Sequence, residues 1–179
     1  MELRFGVPVA CSDASCGALT RVVVDPQRRE VTHVVVAPAG NDLRARLVPI
    51  DLVAPTGDRL TLTCPAAQWQ ELPYLEEIRY TREPDESYWG ALMLWPLTGG
   101  TGESDRPVVV EHLPPGEAEI SATNKARATD GHIGRLRGVV LDDRHRLTHL
   151  LLREGHLLRK KEFAIPASLE AVADLLRPR

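Results

Sequence analysis

Long apolar runs are missing from this chain of 179 residues. The longest, Ala91 to Leu97, is seven residues, far short of the ~20 that a membrane-spanning helix needs. The first residues, Met1-Glu2-Leu3-Arg4, lack the basic tip and apolar core of a secretion signal. Cysteine is scarce: Cys11, Cys16 and Cys64 make an odd count without framework spacing, which fits a reducing compartment. These absences predict a cytoplasmic protein with no membrane span. Catalytic signatures are missing too. No serine stands in Gly-x-Ser-x-Gly, and Gly99-Gly100-Thr101-Gly102 lacks the lysine and the strand–helix setting of a phosphate loop. The expectation is a non-enzymatic protein without a cofactor.

What the chain does contain is itself, twice. At a shift of 117, Glu2 meets Glu119, Leu3 meets Ile120, Gly17 meets Gly134, Val22-Val23 meets Val139-Val140 and Asp25 meets Asp142. One residue is then lost in a turn, so Val31-Thr32-His33 lands on Leu147-Thr148-His149. The shift returns to 117 at Val48-Pro49 and Ile165-Pro166. Two cancelling gaps at expected loops mark an internal repeat. The division is 1–65 for the first copy, 66–117 for a connector and 118–179 for the second copy. Modules of about sixty residues bury only roughly 60% of their unfolded surface, so each copy is expected to lean on the other, on the connector or on a second chain.

Each copy reads as short strands separated by turns. The first gives Leu3–Cys11, interrupted by Pro8, then Leu19–Val24 ending at Asp25-Pro26, Val31–Val36, Arg44–Pro49 and Arg59–Cys64. The second gives Ile133–Leu141, Leu147–Arg153 and Lys161–Pro166, with Gly155 at a hairpin tip. Pro65 opens a short helix over Ala66–Leu72, and Val108-Val109-Val110 is a further strand. The second copy has no counterpart of Arg59–Cys64. Ser168 to Leu176 carries good helix formers there instead, with Ser168 as cap. The edge left open is expected to be covered by Pro107–His112 or by a strand of a neighbouring copy.

Candidate sites are weighed against plainer roles. Cys11, Cys16, His33 and Cys64 suggest zinc, but Cys11 and Cys16 align with Ala128 and Ile133, so they read as packed apolar residues and no metal is expected. His145 and His149, four apart on a strand, would lie roughly 13 Å apart. The Thr-His pair of both copies reads as structural. The acidic pair Asp142-Asp143 reads as a solvated turn. Net charge is −3, unevenly spread: residues 61–126 hold four basic and eleven acidic side chains, and residues 127–162 hold nine and five. Such asymmetry suggests intramolecular docking or self-association. Arg153, Arg159, Lys160 and Lys161 form a basic hairpin, the best nucleic-acid candidate, although no aromatics interleave with it. All three tryptophans and all three tyrosines fall between Trp69 and Trp95. Tyr88, Trp89 and Trp95 are therefore interaction candidates, as connector cement or as a dimer contact.

The repeated pattern resembles the PRC-barrel family. It runs Asp130-Gly131-His132-Ile133-Gly134, Asp142, Leu147-Thr148-His149 and Ile165-Pro166. In the first copy it runs Asp13-Ala14-Ser15-Cys16-Gly17, Asp25, Val31-Thr32-His33 and Val48-Pro49. Ala14 and Cys16 depart from the pattern at the positions of Gly131 and Ile133. The family is named for the cytoplasmic domain of the photosynthetic reaction-centre H subunit and includes the C-terminal domain of a ribosome-maturation factor. The resemblance covers about two-thirds of the chain. It implies a mainly β protein of two tandem small barrels joined by an irregular connector with a short helix. It also implies a non-catalytic docking or assembly role, with a protein partner and homo-oligomers. RNA processing or ribosome assembly is the alternative, and the fold alone fixes neither.

Overall fold

The computed structural model describes residues 1–38, 41, 44–56, 59–81, 106–128, 131–154, 161–168 and 171–172. Fourteen strands dominate them, and the chain is mainly β. The first repeat supplies β1 (Glu2–Arg4), β2 (Pro8–Ala10), β3 (Ser15–Asp25), β4 (Glu30–Ala37) and β5 (Arg46–Pro49). A 3-10 turn at Ile50–Leu52 then leads to β6 (Val53–Thr56) and β7 (Arg59–Leu62). Helix α1 (Ala66–Glu71) precedes β8 (Glu76–Thr81) and β9 (Arg106–Glu111). The second repeat supplies β10 (Ala118–Ser121), β11 (Lys125–Ala128), β12 (Gly131–Leu141), β13 (Leu147–Glu154) and β14 (Lys161–Pro166). No helix among the described residues is long and apolar enough to cross a membrane.

The two copies repeat each other's strand register. In the first, Val9 faces Gly17, Val34 faces Val48 and His33 faces Pro49. In the second, Ala126 faces Gly134, Leu150 faces Ile165 and His149 faces Pro166. The irregularities repeat as well. Register shifts between Leu19 and Arg21 and between Val23 and Val24 recur between Leu136 and Gly138 and between Val140 and Leu141. Gly17 and Gly134 hold φ of +142° and +151°, a conformation side chains resist. A Cβ on Gly17 would stand 2.0 Å from the Ala37 carbonyl oxygen. Asp25 and Asp142 cap equivalent turns, each carboxylate accepting two backbone N–H bonds. Asp142 is thus engaged, not simply solvated, and those bonds hold its carboxyl below the usual range.

The first strands change places. β1 pairs with β12 of the second repeat, Leu3 facing Val139, while β10 pairs with β3 of the first, Ile120 facing Val22. One sheet contains β1, β11, β12, β13 and β14; the other contains β10 and β2 to β7. Neither is built from one repeat alone. The equivalent turns also exchange bonds: Val31 N–H donates to the His145 carbonyl (2.9 Å) and Leu147 N–H to the Arg29 carbonyl (2.7 Å). Leu3, Leu19, Val22, Ile120, Leu136, Val139 and Leu150 are fully buried in one continuous core. Mutual support between the copies therefore takes the form of a shared interior, removing the surface deficit of each small module.

Residues Met1–Leu75 and His112–Arg179 make one compact unit, and Glu76–Glu111 a second. In the second unit β8 and β9 form an antiparallel pair. This corrects the expectation that Pro107–His112 covers the open edge of the second repeat: residues 107–111 belong to β9, which among the described strands pairs with β8 alone. The described strand β11 pairs only with β12. At the other end of the repeat, Ala171 N–H donates to Ser168 Oγ and Val172 N–H to the Ser168 carbonyl. Ser168 thus caps a helical turn as expected; Gly155 and residues 173–179 lie outside the described residues.

A second small core lies under the first repeat. Val23, Val35, Ala37, Ala45 and Leu47 are covered by Leu75, with Leu113 beside them. The chain at Pro73–Leu75 runs along β5 as an added strand: Leu47 N–H donates to the Pro73 carbonyl and Leu75 N–H to the Ala45 carbonyl, both at 2.9 Å. Arg46 clasps it. Its guanidinium donates to the Leu72 carbonyl and the Tyr74 hydroxyl, and lies 4.2 Å from the Tyr74 ring and 5.6 Å from the Trp69 ring. Arg46→Ala is expected to cost about 1–2 kcal/mol in urea unfolding, with Arg46→Lys recovering only part, because a point charge replaces neither the fork nor the stacking plane.

Candidate functional site

The basic residues flagged in the second repeat divide. Arg153 and Lys161 sit on neighbouring strands, Arg153 facing Glu162 and Lys161 facing Glu154. Arg159 and Lys160 lie outside the described residues, as do Tyr88, Trp89 and Trp95. The structure adds two arginines that sequence reasoning passed over. Arg4 comes from β1 and donates to Glu162 at 2.9 Å, while also bonding Glu2. Arg137 comes from β12. The Glu162 carboxyl is held below the usual range, first by the Arg4 hydrogen bond, with the charges of Arg4, Arg137 and Arg153 adding to it. Arg137 was foreseeable from strand alternation with Arg135. Arg4 was not, since only the strand exchange carries it here.

The same positions in the first repeat carry no charge. Register equivalence sets Arg137 against Thr20, Arg153 against Ala37, Glu162 against Ala45, and Ala164 against Leu47. In the first repeat that face is sealed by Leu75 and its edge is paired to Pro73–Leu75. In the second repeat Glu162 and Ala164 are exposed, and no described strand lies beyond β14.

The structural reading of the Thr-His pairs fits the two threonines and His33 but not the exposed His149. Thr148 donates to the Val140 carbonyl at 3.0 Å, and Thr32 lies 3.4 Å from the equivalent Val23 carbonyl, so the threonine is the repeated element. His33 is half-buried, its Nδ1 3.0 Å from the Thr32 hydroxyl and 3.9 Å from the Glu117 carboxylate; His149 is exposed. Burial lowers the His33 pKa, and Glu117 offsets this in part. The unfolded chain therefore takes up a proton, from about pH 6.5 downward, that the folded chain still refuses. Stability should fall as pH drops through that value, and the loss is complete below the folded pKa. Urea midpoints measured from neutral pH down to the onset of carboxylate titration should show this slope, reduced in His33→Asn.

The cysteines require a correction. Cys11 and Cys16 are joined by a disulfide, with Cα atoms 5.9 Å apart. The Cys11–Ala14 turn, closed by Cys11 N–H donating to the Ala14 carbonyl, folds the two against each other within bridging range. Cys64 is a buried free thiol. Among the described residues no group of three or more His, Cys, Asp or Glu is placed to hold a metal. His145 lies in a turn with φ +58°, not on a strand with His149.

A groove of about 430 Å³ opens where the exchanged turns meet, lined by Arg29, Asp142, Arg146, Thr148 and Ser168 among others. Its polar groups are committed: Arg29 donates to the Ala167 carbonyl (3.2 Å), Arg146 to Asp142 (3.0 Å), and Ser168 caps the helical turn. The groove thus serves the seam, and the exposed chemistry lies on the outer face of β13 and β14. No protein-family model and no curated protein matches this chain.

Proposed function

We propose that this chain is a non-enzymatic docking or assembly module of the PRC-barrel type, built from two tandem barrel-like copies and self-associating as a dimer. The observation that carries the reading is the contrast between equivalent edges: β5 holds an added strand at Pro73–Leu75, while β14 presents the same register to solvent beside Arg4, Arg137 and Arg153. The motif residues themselves are spent on the fold. Gly17 and Gly134 shape bulges, Asp25 and Asp142 cap turns, and Thr32 and Thr148 reach the neighbouring strand. That usage supports a scaffold with surface-borne function.

Light scattering over a wide concentration range tests self-association. A mass that rises with concentration, and falls back in the Trp89→Ala/Trp95→Ala double variant, is the expected result. A monomer at every concentration would remove the dimer. The basic face favours RNA or ribosome assembly as a second reading. Phosphate binding there demands a steep salt dependence, with a log–log slope of about −0.7 per phosphate on single strands. A micromolar RNA that gives no salt-sensitive shift removes this reading.

A further inference from the structure

We infer that the outer edge of β14 takes up an extended acidic polypeptide segment from a partner, as an added antiparallel strand with a carboxylate side chain opposite Lys161. This rests on the docking reading and names its site and the chemistry of its partner. The first repeat shows what such an edge accepts. There Leu47 N–H and the Ala45 carbonyl point away from β4 and bond Pro73 and Leu75. Ala164 and Glu162 occupy those positions in β14, so Ala164 N–H and the Glu162 carbonyl point away from β13. Pro49 and Pro166 share this parity, and proline is tolerated in a strand where its missing N–H would have faced outward. The described β14 edge therefore offers a donor and an acceptor in the spacing that β5 uses, the arrangement exploited by strand addition.

Charge selects the occupant. Tyr74 bridges Arg46, which fixes the register of the added strand. Transferred to the second repeat, the residue in the place of Tyr74 lies opposite Phe163, that of Leu75 opposite Glu162, and that of Glu76 opposite Lys161. An apolar residue at the Leu75 position would cover Val140, Leu151 and Ala164, the counterparts of Val23, Val35 and Leu47 in the sealed face. The residue in the place of Glu76 shares a face with Lys161, and the one in the place of Glu77 lies on the other face, that of Glu162 and Arg153. Acidic side chains at both positions thus meet a basic residue on their own side of the sheet. On the outer face Arg4, Arg137 and Arg153 outnumber Glu2 and Glu162, and that excess steers an acidic segment toward the edge.

The probe is a fluorescent peptide with the sequence of Gln70–Glu77, Gln-Glu-Leu-Pro-Tyr-Leu-Glu-Glu, titrated into the full chain and followed by anisotropy. Saturable binding is expected. It should weaken about tenfold in Ala164→Pro, which removes the outward donor. A similar loss is expected with a peptide N-methylated at its second leucine, which leaves the protein untouched should that variant fail to fold. Lys161→Glu should weaken binding of the acidic peptide more than that of a version with glutamines for glutamates. Binding indifferent to both Ala164→Pro and N-methylation overturns the inference. So does displacement of the peptide by a single-stranded RNA with a steep salt dependence, which would assign the face to nucleic acid. Absence of peptide binding in a chain that self-associates overturns this site and leaves the docking reading standing. Absence of both removes the two together.

Discussion

Gly138→Ala is expected to cost roughly 3–5 kcal/mol, a loss on the scale of a small domain's whole stability. A Cβ there would stand 2.2 Å from the Leu3 carbonyl oxygen, 2.9 Å from Arg4 Cα and 3.1 Å from Leu3 carbonyl carbon. All three are backbone atoms, so no side chain can swing aside; β1 itself must leave. With it go the pairings of Glu2 with Val140 and Leu3 with Val139, and the burial of Leu3. Gly116→Ala is the control. Its φ of +83° is strained for alanine, but the space around it is open, so the loss should stay near 1 kcal/mol. Urea unfolding followed by far-UV circular dichroism separates the two. Equal, small losses would show that β1 does not cross β12 so closely.

Leu3→Ala and Ile120→Ala are expected to cost about 2–5 kcal/mol each, the range for emptying a buried aliphatic site. Both side chains are completely buried, and each faces a valine of the other repeat: Leu3 opposite Val139, Ile120 opposite Val22. Because the core is shared, each variant should lower the midpoint of one common transition. Denaturant curves read separately at probes in β3 and β12 should remain superimposed. A variant that melts one repeat and spares the other would show two independent modules.

The repeat was legible because its marker residues have local backbone duties that few residue types fulfil. Gly17 and Gly134 serve bulges, Asp25 and Asp142 cap turns, and Pro49 and Pro166 end edge strands. The strand exchange was not legible, and the reason is symmetry. Glu2-Leu3 and Glu119-Ile120 present the same alternation, so either can satisfy either sheet and the pattern is the same for exchanged and unexchanged arrangements. The Cys11–Cys16 bridge was hidden because spacing gains meaning only once the turn between β2 and β3 closes. Trp69 and Tyr74 were visible as part of an aromatic cluster, but their partner Arg46 stands on a strand of the preceding repeat. The basic face was half legible: Arg153 and Lys161 were in view, whereas Arg4 reaches Glu162 across 158 positions of sequence.

The strand exchange organises both large sheets, and it can be read on the unmodified chain. Isotope-edited nuclear Overhauser spectra report which backbone protons lie beside those of Leu3 and Ile120. The exchange predicts contacts from Leu3 to Gly138 and Val139, and from Ile120 to Val22 and Val23. Contacts from Leu3 to Val22 and from Ile120 to Val139 would contradict it, and would return each first strand to its own repeat.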